Sequence, residues 1–263
     1  MSAGLAAQLC YADVVRPRPA DVLSGIRRFW PSAELVDGTG RGGGFMVAFP
    51  ELTTQLGDGA GIRLLVSVGQ PAPERAGGSG RDLSQSWEWP DAPEVLASVR
   101  QTVAVAEIFG TSFAPANRVH ALTAVVQGLA AATTPVGVWW PASTLATPPA
   151  ALAGRPLGGL VNVRLFNVAD SPGLLAMDTL GLAPLGLPDL ECVFSGLPET
   201  RMAAYLTSIA EYLVAGHTIR GGDTVEGLTP DQRWRVTAGS SSVAPERPVL
   251  SISPGQRGAG AGR

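Results

Sequence analysis

The chain has 263 residues, 45% of them hydrophobic and 16% charged, a balance that supports a large core and excludes a disordered chain. A formal net charge of −3 provides no field to gather phosphates, so nucleic acid and acidic membrane surfaces are not expected as partners. All 19 basic residues are arginine, which removes Schiff-base chemistry and phosphate loops that depend on a lysine.

In chain order, residues 5–11 read as a strand. Residues 19–30 read as a helix with Val22, Leu23, Ile26 and Trp30 on one stripe, stopped by Pro31. Strands at 45–49 and 62–68 complete a β-α-β-β lobe over residues 1–69. The Pro, Gly and Ser content of residues 70–90 predicts a surface loop, and residues 91–254 a second α+β lobe.

Within that second lobe, 102–109 alternates as a strand does. Residues 117–131 place Val119, Leu122, Val125, Val126 and Leu129 on one helical face. Strands are predicted at 136–140, 161–168 and 190–194. A helix over 198–214 has Pro198 at its first position, a stripe of Met202, Tyr205, Leu206, Ile209 and Leu213, and Gly216 as its cap. Segments 223–228, 234–237 and 249–252 read as closing antiparallel strands, and 255–263, lacking an apolar anchor, as a disordered tail. The fold class is therefore α+β, with mostly antiparallel sheets and flanking helices. A helix followed by strands occurs near both ends, which points to two similar packed lobes.

Residues 119–154 contain no Asp, Glu, Lys or Arg, and 121–140 is long enough to cross a bilayer. The run is largely Ala, Thr and Gly and is broken by Thr133, Thr134 and Pro135, which favours a buried helix followed by a buried strand. The opening residues lack a basic stretch followed by an apolar one, so a cytoplasmic location is expected.

Gly38, Gly40 and Gly43 have the spacing of a dinucleotide-binding turn, but a β-like run follows where that motif needs a helix. A hairpin loop is the better reading, and no cofactor is expected. Cys10 and Cys192 are too few for a zinc site or a disulfide framework and read as core residues. His120 and His217 are the only imidazoles and no Gly-x-Ser-x-Gly elbow occurs, so neither a metal cluster nor a serine triad is expected. Asp178, Asp189, Glu191 and Asp223 flank loops, where two of them are able to act as a general acid and base if the fold brings them together. Trp139 and Trp140 are adjacent on a strand and face opposite sides of it, one toward the core and the other toward a covering helix or a binding groove.

The runs Val161-Asn162-Val163-Arg164-Leu165-Phe166, Met177-Asp178-Thr179-Leu180-Gly181-Leu182 and Leu185-Gly186-Leu187-Pro188-Asp189-Leu190-Glu191 come together in one half of the chain. The helix with Tyr205, Glu211, Tyr212 and Leu213 follows, and then Gly222-Asp223-Thr224-Val225. This half resembles the bacterial domain of unknown function 4261 family. The resemblance implies an α+β fold in a bacterial cytosolic protein and carries over no catalytic residues.

Two readings of function follow. The first is a non-enzymatic binding or regulatory module whose partner is another protein or a second copy of itself, with Trp139, Trp140, Thr179, Gly181 and Gly186 as the candidate interaction surface. The alternative is a small-molecule enzyme in which Asp178, Glu191 and Asp223 gather near Arg164.

Overall fold

The computed structural model describes residues 4–36, 44–53, 61–69, 83–108, 110–153 and 157–255. The glycine loop at 38–43 and the segment beyond Gly255 lie outside the described residues, as does most of the predicted loop at 70–90. The chain forms two compact units, Met1–Leu160 and Val161–Arg263, each built on its own sheet.

The first unit contains β1 (Ala6–Tyr11), α1 (Pro19–Ile26), β2 (Glu34–Val36), β3 (Phe45–Thr53) and β4 (Gly61–Val68). It continues with α2 (Ala92–Ala97), β5 (Gln101–Ile108), α3 (Pro115–Thr133), β6 (Gly137–Trp140) and β7 (Leu145–Thr147). The strands pair antiparallel in the order β2-β3-β4-β5-β1-β6-β7. Alternation decides which face is covered: Ile62, Leu64 and Val66 of β4 are buried, while Arg63, Leu65 and Ser67 are exposed.

The predicted stripe of α3, Val119 through Leu129, is buried against this sheet, where each fully buried Leu or Val contributes about 1.5–3 kcal/mol. Helix α1 lies against α3 where Gly25 meets Gly128, and a Cβ on Gly128 would stand 2.5 Å from Ile26 Cγ1. No other residue type fits that crossing without displacing backbone. A smaller core joins Cys10, Ala92, Leu96, Val99, Trp139 and Ala146, through which α2 covers part of the sheet.

The sequence reading grouped residues 91–254 together, but β5, β6 and β7 hydrogen-bond into the first sheet, so the chain divides at 160 rather than near 70–90. The reason is that β1 pairs with β5 on one side and β6 on the other, contacts remote in sequence that no local pattern announces. Short elements β2, β7 and α2 were likewise not predicted, because three to six residues leave no measurable period.

The second unit comprises β8 (Asn162–Asn167), β9 (Leu175–Leu180), β10 (Asp189–Phe194), α4 (Glu199–Val214), β11 (Thr224–Glu226), β12 (Arg233–Ser240) and β13 (Pro248–Ser253). Its sheet runs β11-β12-β13-β10-β9-β8, antiparallel except for the parallel pair β10 and β13. Pro198 precedes the helix instead of opening it. Helix α4 ends as expected at Gly216, with φ of 96°. The His217 amide donates to Tyr212 O and the Gly216 amide to Leu213 O, which closes the last turn. The helix buries Met202, Leu206, Ala210 and Leu213 on the side of the sheet that carries the paired Met177 and Cys192.

The two sheets share a β-α-β-β-β arrangement. In the second unit, β10 is followed by α4 and the antiparallel trio β11-β12-β13, whose last strand lies beside β10. In the first, β1 is followed by α1 and the trio β2-β3-β4, whose last strand runs in the same direction as β1 with β5 inserted between them.

Candidate functional site

The polar residues of the second unit fall on the sheet face opposite α4. Arg164 of β8 stands across from Asp178 of β9, Asp178 across from Glu191 of β10, Glu191 across from Ser251 of β13, and Ser251 across from Thr237 of β12. Residues directly opposite share a face, so register alone lines up this row. Asp189, two residues before Glu191 on β10, belongs to the same face.

A buried network of ions forms there. Arg164 holds Asp178 in a two-pronged pair, Nε to Oδ1 at 2.9 Å and Nη2 to Oδ2 at 2.6 Å. Arg247, just before β13, donates Nη2 to Asp178 Oδ2 at 2.7 Å and to Thr179 O at 2.7 Å, and Nε to Asp189 Oδ2 at 2.9 Å. Its Nη1 donates to the carbonyls of Pro245 and Val243, so all five N–H groups of that guanidinium are used. The second oxygen of Asp189 accepts from the Thr179 hydroxyl and the Leu182 amide, each at 3.1 Å. Glu191 Oε2 accepts from the amide and hydroxyl of Ser242, both at 2.8 Å. Residues 241–247 are thus clasped onto the polar face.

Asp178 and Asp189 are 0% exposed and Glu191 5%. Burial pushes the Asp189 carboxyl above its ordinary range, opposed by the Leu182 amide, Arg247 and Thr179. Burial likewise raises the Cys192 thiol to about 12, helped by the neighbouring Glu191 charge. Asp178 and Asp189, sealed from water and paired with guanidinium groups, brace the fold and have no open side to offer a substrate, while Glu191 is held by Ser242.

The predicted carboxylate trio does not assemble. Asp178 and Glu191 are neighbours beside Arg164, but Asp223 is exposed at the start of β11, its carboxylate accepting the Arg220 amide at 2.8 Å. With β11 four strands from β9 and about 4.8 Å per strand, Asp223 is roughly 19 Å away, beyond the ~5–9.5 Å of working carboxylate pairs. The segment 177–191, which carries Asp178 and Glu191, consists of the end of β9, a connection with a 3-10 helix at Ala183–Leu185, and the start of β10.

The candidate interaction residues are mostly interior. Trp139 is covered by α2, and Trp140 donates its indole N–H to Thr147 Oγ1 at 3.0 Å, leaving the two rings 8% and 1% exposed. Thr179 is 0% exposed and Gly181 is buried, so of that set only Gly186 is at the surface. Two consecutive tryptophans are both buried because the sheet is covered on both faces at β6. Sequence reasoning missed Arg247. The available signal was a charge imbalance, three acids in or beside apolar strands with only Arg164 near them in sequence.

Among the described residues, no group of three or more His, Cys, Asp or Glu side chains is arranged to hold a metal ion, and no helix is long and apolar enough to cross a membrane. His120 is exposed, and exposed His217 stacks on Tyr212 with ring centroids 4.1 Å apart. The second unit also has an open groove of about 620 Å³ between the C-terminal part of α4 and β11, in which Tyr212 is 46% exposed.

The structure is an α+β protein of two mostly antiparallel sheets, with a buried arginine–carboxylate network in the second. Residues 178–253 match the family described as Domain of unknown function (DUF4261), the family that the sequence resembles. The match begins at Asp178 and contains every member of the network except Arg164. No curated protein and no solved structure matches the chain.

Proposed function

We propose that the chain is a non-enzymatic binding or regulatory module of the bacterial cytosol whose partner is another protein. The observation that carries this reading is the contrast within the second unit. Asp178, Asp189 and Glu191, the acids best suited to catalysis, are buried and hydrogen-bonded inside, while the surface offers an open groove beside an edge strand, with Tyr212 half exposed. Tyrosine at such a place supplies contact area at low entropic cost. Cys10 and Cys192 are both buried thiols, and cysteines kept inside the core suit a reducing compartment, which supports the cytosolic assignment.

The test is affinity capture with the tagged full-length chain from native lysate, with chemical cross-linking to retain short-lived complexes. A protein recovered in a fixed ratio to the chain supports the reading. Recovery of nothing but the chain, at every concentration tried, removes it.

A further inference from the structure

Among the described residues, strand β11 ends the second sheet, and one of its sides has no neighbouring strand there. The Val236 amide donates to Asp223 O and the Gly227 amide to Gln232 O, which turns the backbone of the odd-numbered residues toward β12. Antiparallel pairing alternates, so the N–H and C=O of Thr224 and Glu226 turn outward. The Tyr205 hydroxyl confirms that direction by donating to Glu226 O at 2.8 Å, and Arg201 ties Leu228 O at 2.8 Å. Helix α4 therefore closes one end of this edge. At the other end, the outward groups of Thr224 border the groove lined by Ile209, Tyr212, Asp223, Val225 and Glu226.

An open strand edge facing a helix across a groove is a site where an extended chain adds as a further strand, gaining backbone hydrogen bonds from the edge and side-chain contacts from the groove. The two charged residues lining this groove are both carboxylates, Asp223 and Glu226. Arg235 and Arg233 stand one strand further in, opposite Thr224 and Glu226, and Arg233 is occupied by the carbonyls of Pro230 and Gln232.

We propose that the β11 edge binds an extended, basic segment of a partner protein as an added strand beside Thr224. This rests on the protein-binding reading above and gives that reading a site and a partner chemistry. Apolar side chains of the segment meet Ile209, Tyr212 and Val225 on the side of α4, its alternating cationic side chains meet Glu226 on the other face, and Asp223 adds negative charge at the end of the edge.

The experiment uses the full-length chain labelled with ¹⁵N and, as probes, a short peptide alternating arginine with valine and its glutamate counterpart. The arginine peptide should shift the amide signals of Thr224, Val225, Glu226 and Tyr212, with an affinity that falls as salt rises, while the glutamate peptide binds at least about tenfold more weakly. Thr224→Pro removes an outward-facing donor that the β11–β12 ladder does not use and should weaken the arginine peptide about tenfold. The pair Asp223→Asn with Glu226→Gln, which keeps the acceptor of the Arg220 amide, should weaken it about three- to tenfold.

Equal binding of the two peptides, absence of shifts at β11, or undiminished binding by the variants overturns the site. A dimer in sedimentation that Thr224→Pro dissolves also overturns it, assigning the edge to a second copy. If a partner captured from lysate binds Thr224→Pro as tightly as the unaltered chain, the protein-binding reading stands and this site falls.

Discussion

Arg247 spends its five donors on two carboxylates and three carbonyls, and it joins residues 58 and 69 positions away. Removing one partner from a buried ion group leaves uncompensated charge, which typically costs about 3–5 kcal/mol, more than a surface pair ever contributes. Arg247→Met is therefore expected to lower the unfolding free energy by about 3–5 kcal/mol in a urea titration. Arg164→Met should cost less, because Asp178 keeps Arg247. Equal losses for the two variants would show that Arg247 is not the hub. Cys192 makes a second prediction at this scale. Its thiol, ordinarily at 9.0, is raised to about 12, so the folded state holds a proton that the unfolded state releases between those values. Stability from this group is fully present below 9.0 and is lost as pH rises toward about 12, by up to about 1.4 kcal/mol per pH unit. Burial raises Tyr11 to about 12 in the same sense. Cys192→Ala should flatten the alkaline slope of the unfolding midpoint, and neither native cysteine should react with a water-soluble thiol reagent at pH 8; prompt labelling would contradict the buried placement.

At the scale of elements, the α1–α3 crossing depends on two residues without side chains. Gly128→Ala places its Cβ 2.5 Å from Ile26 Cγ1 and 2.7 Å from the Ile26 nitrogen, and since backbone cannot rotate away the expected loss is about 1–3 kcal/mol. Gly239→Ala in β12 meets nothing within 4 Å and should stay within about 0.5 kcal/mol of the unaltered chain. Chemical denaturation of the two variants side by side separates crowding from helix propensity, because propensity alone would make Gly128→Ala stabilising. The helices α1, α3 and α4 were legible beforehand because their apolar residues recur at helical spacing, with Pro19 at the start of α1 and Gly216 after the end of α4; the start of α3 at Pro115, two residues before the predicted 117, was not read. Strand β9 was not. Leu175–Leu180 is buried on both faces after its first residue, so it lacks the alternation by which a half-covered strand is recognised.

For the whole molecule, the division at residue 160 gives each unit a sheet and at least one covering helix, the composition of an independent domain. Residues 161–255 produced alone are expected to fold, with the circular dichroism of a mixed helix and sheet protein and one cooperative transition. A fragment without a transition would show that the second unit depends on the first. The α+β class was determined by the sequence, because an apolar residue at every second or every third to fourth position records which face of an element is covered. Only the tertiary structure decided that β5–β7 join the first sheet, that Arg247 meets Asp178 and Asp189, and that Asp223 stands apart from them at an open edge. Those outcomes depend on register and strand order, which arise between residues far apart in the chain and leave no period for the sequence to display.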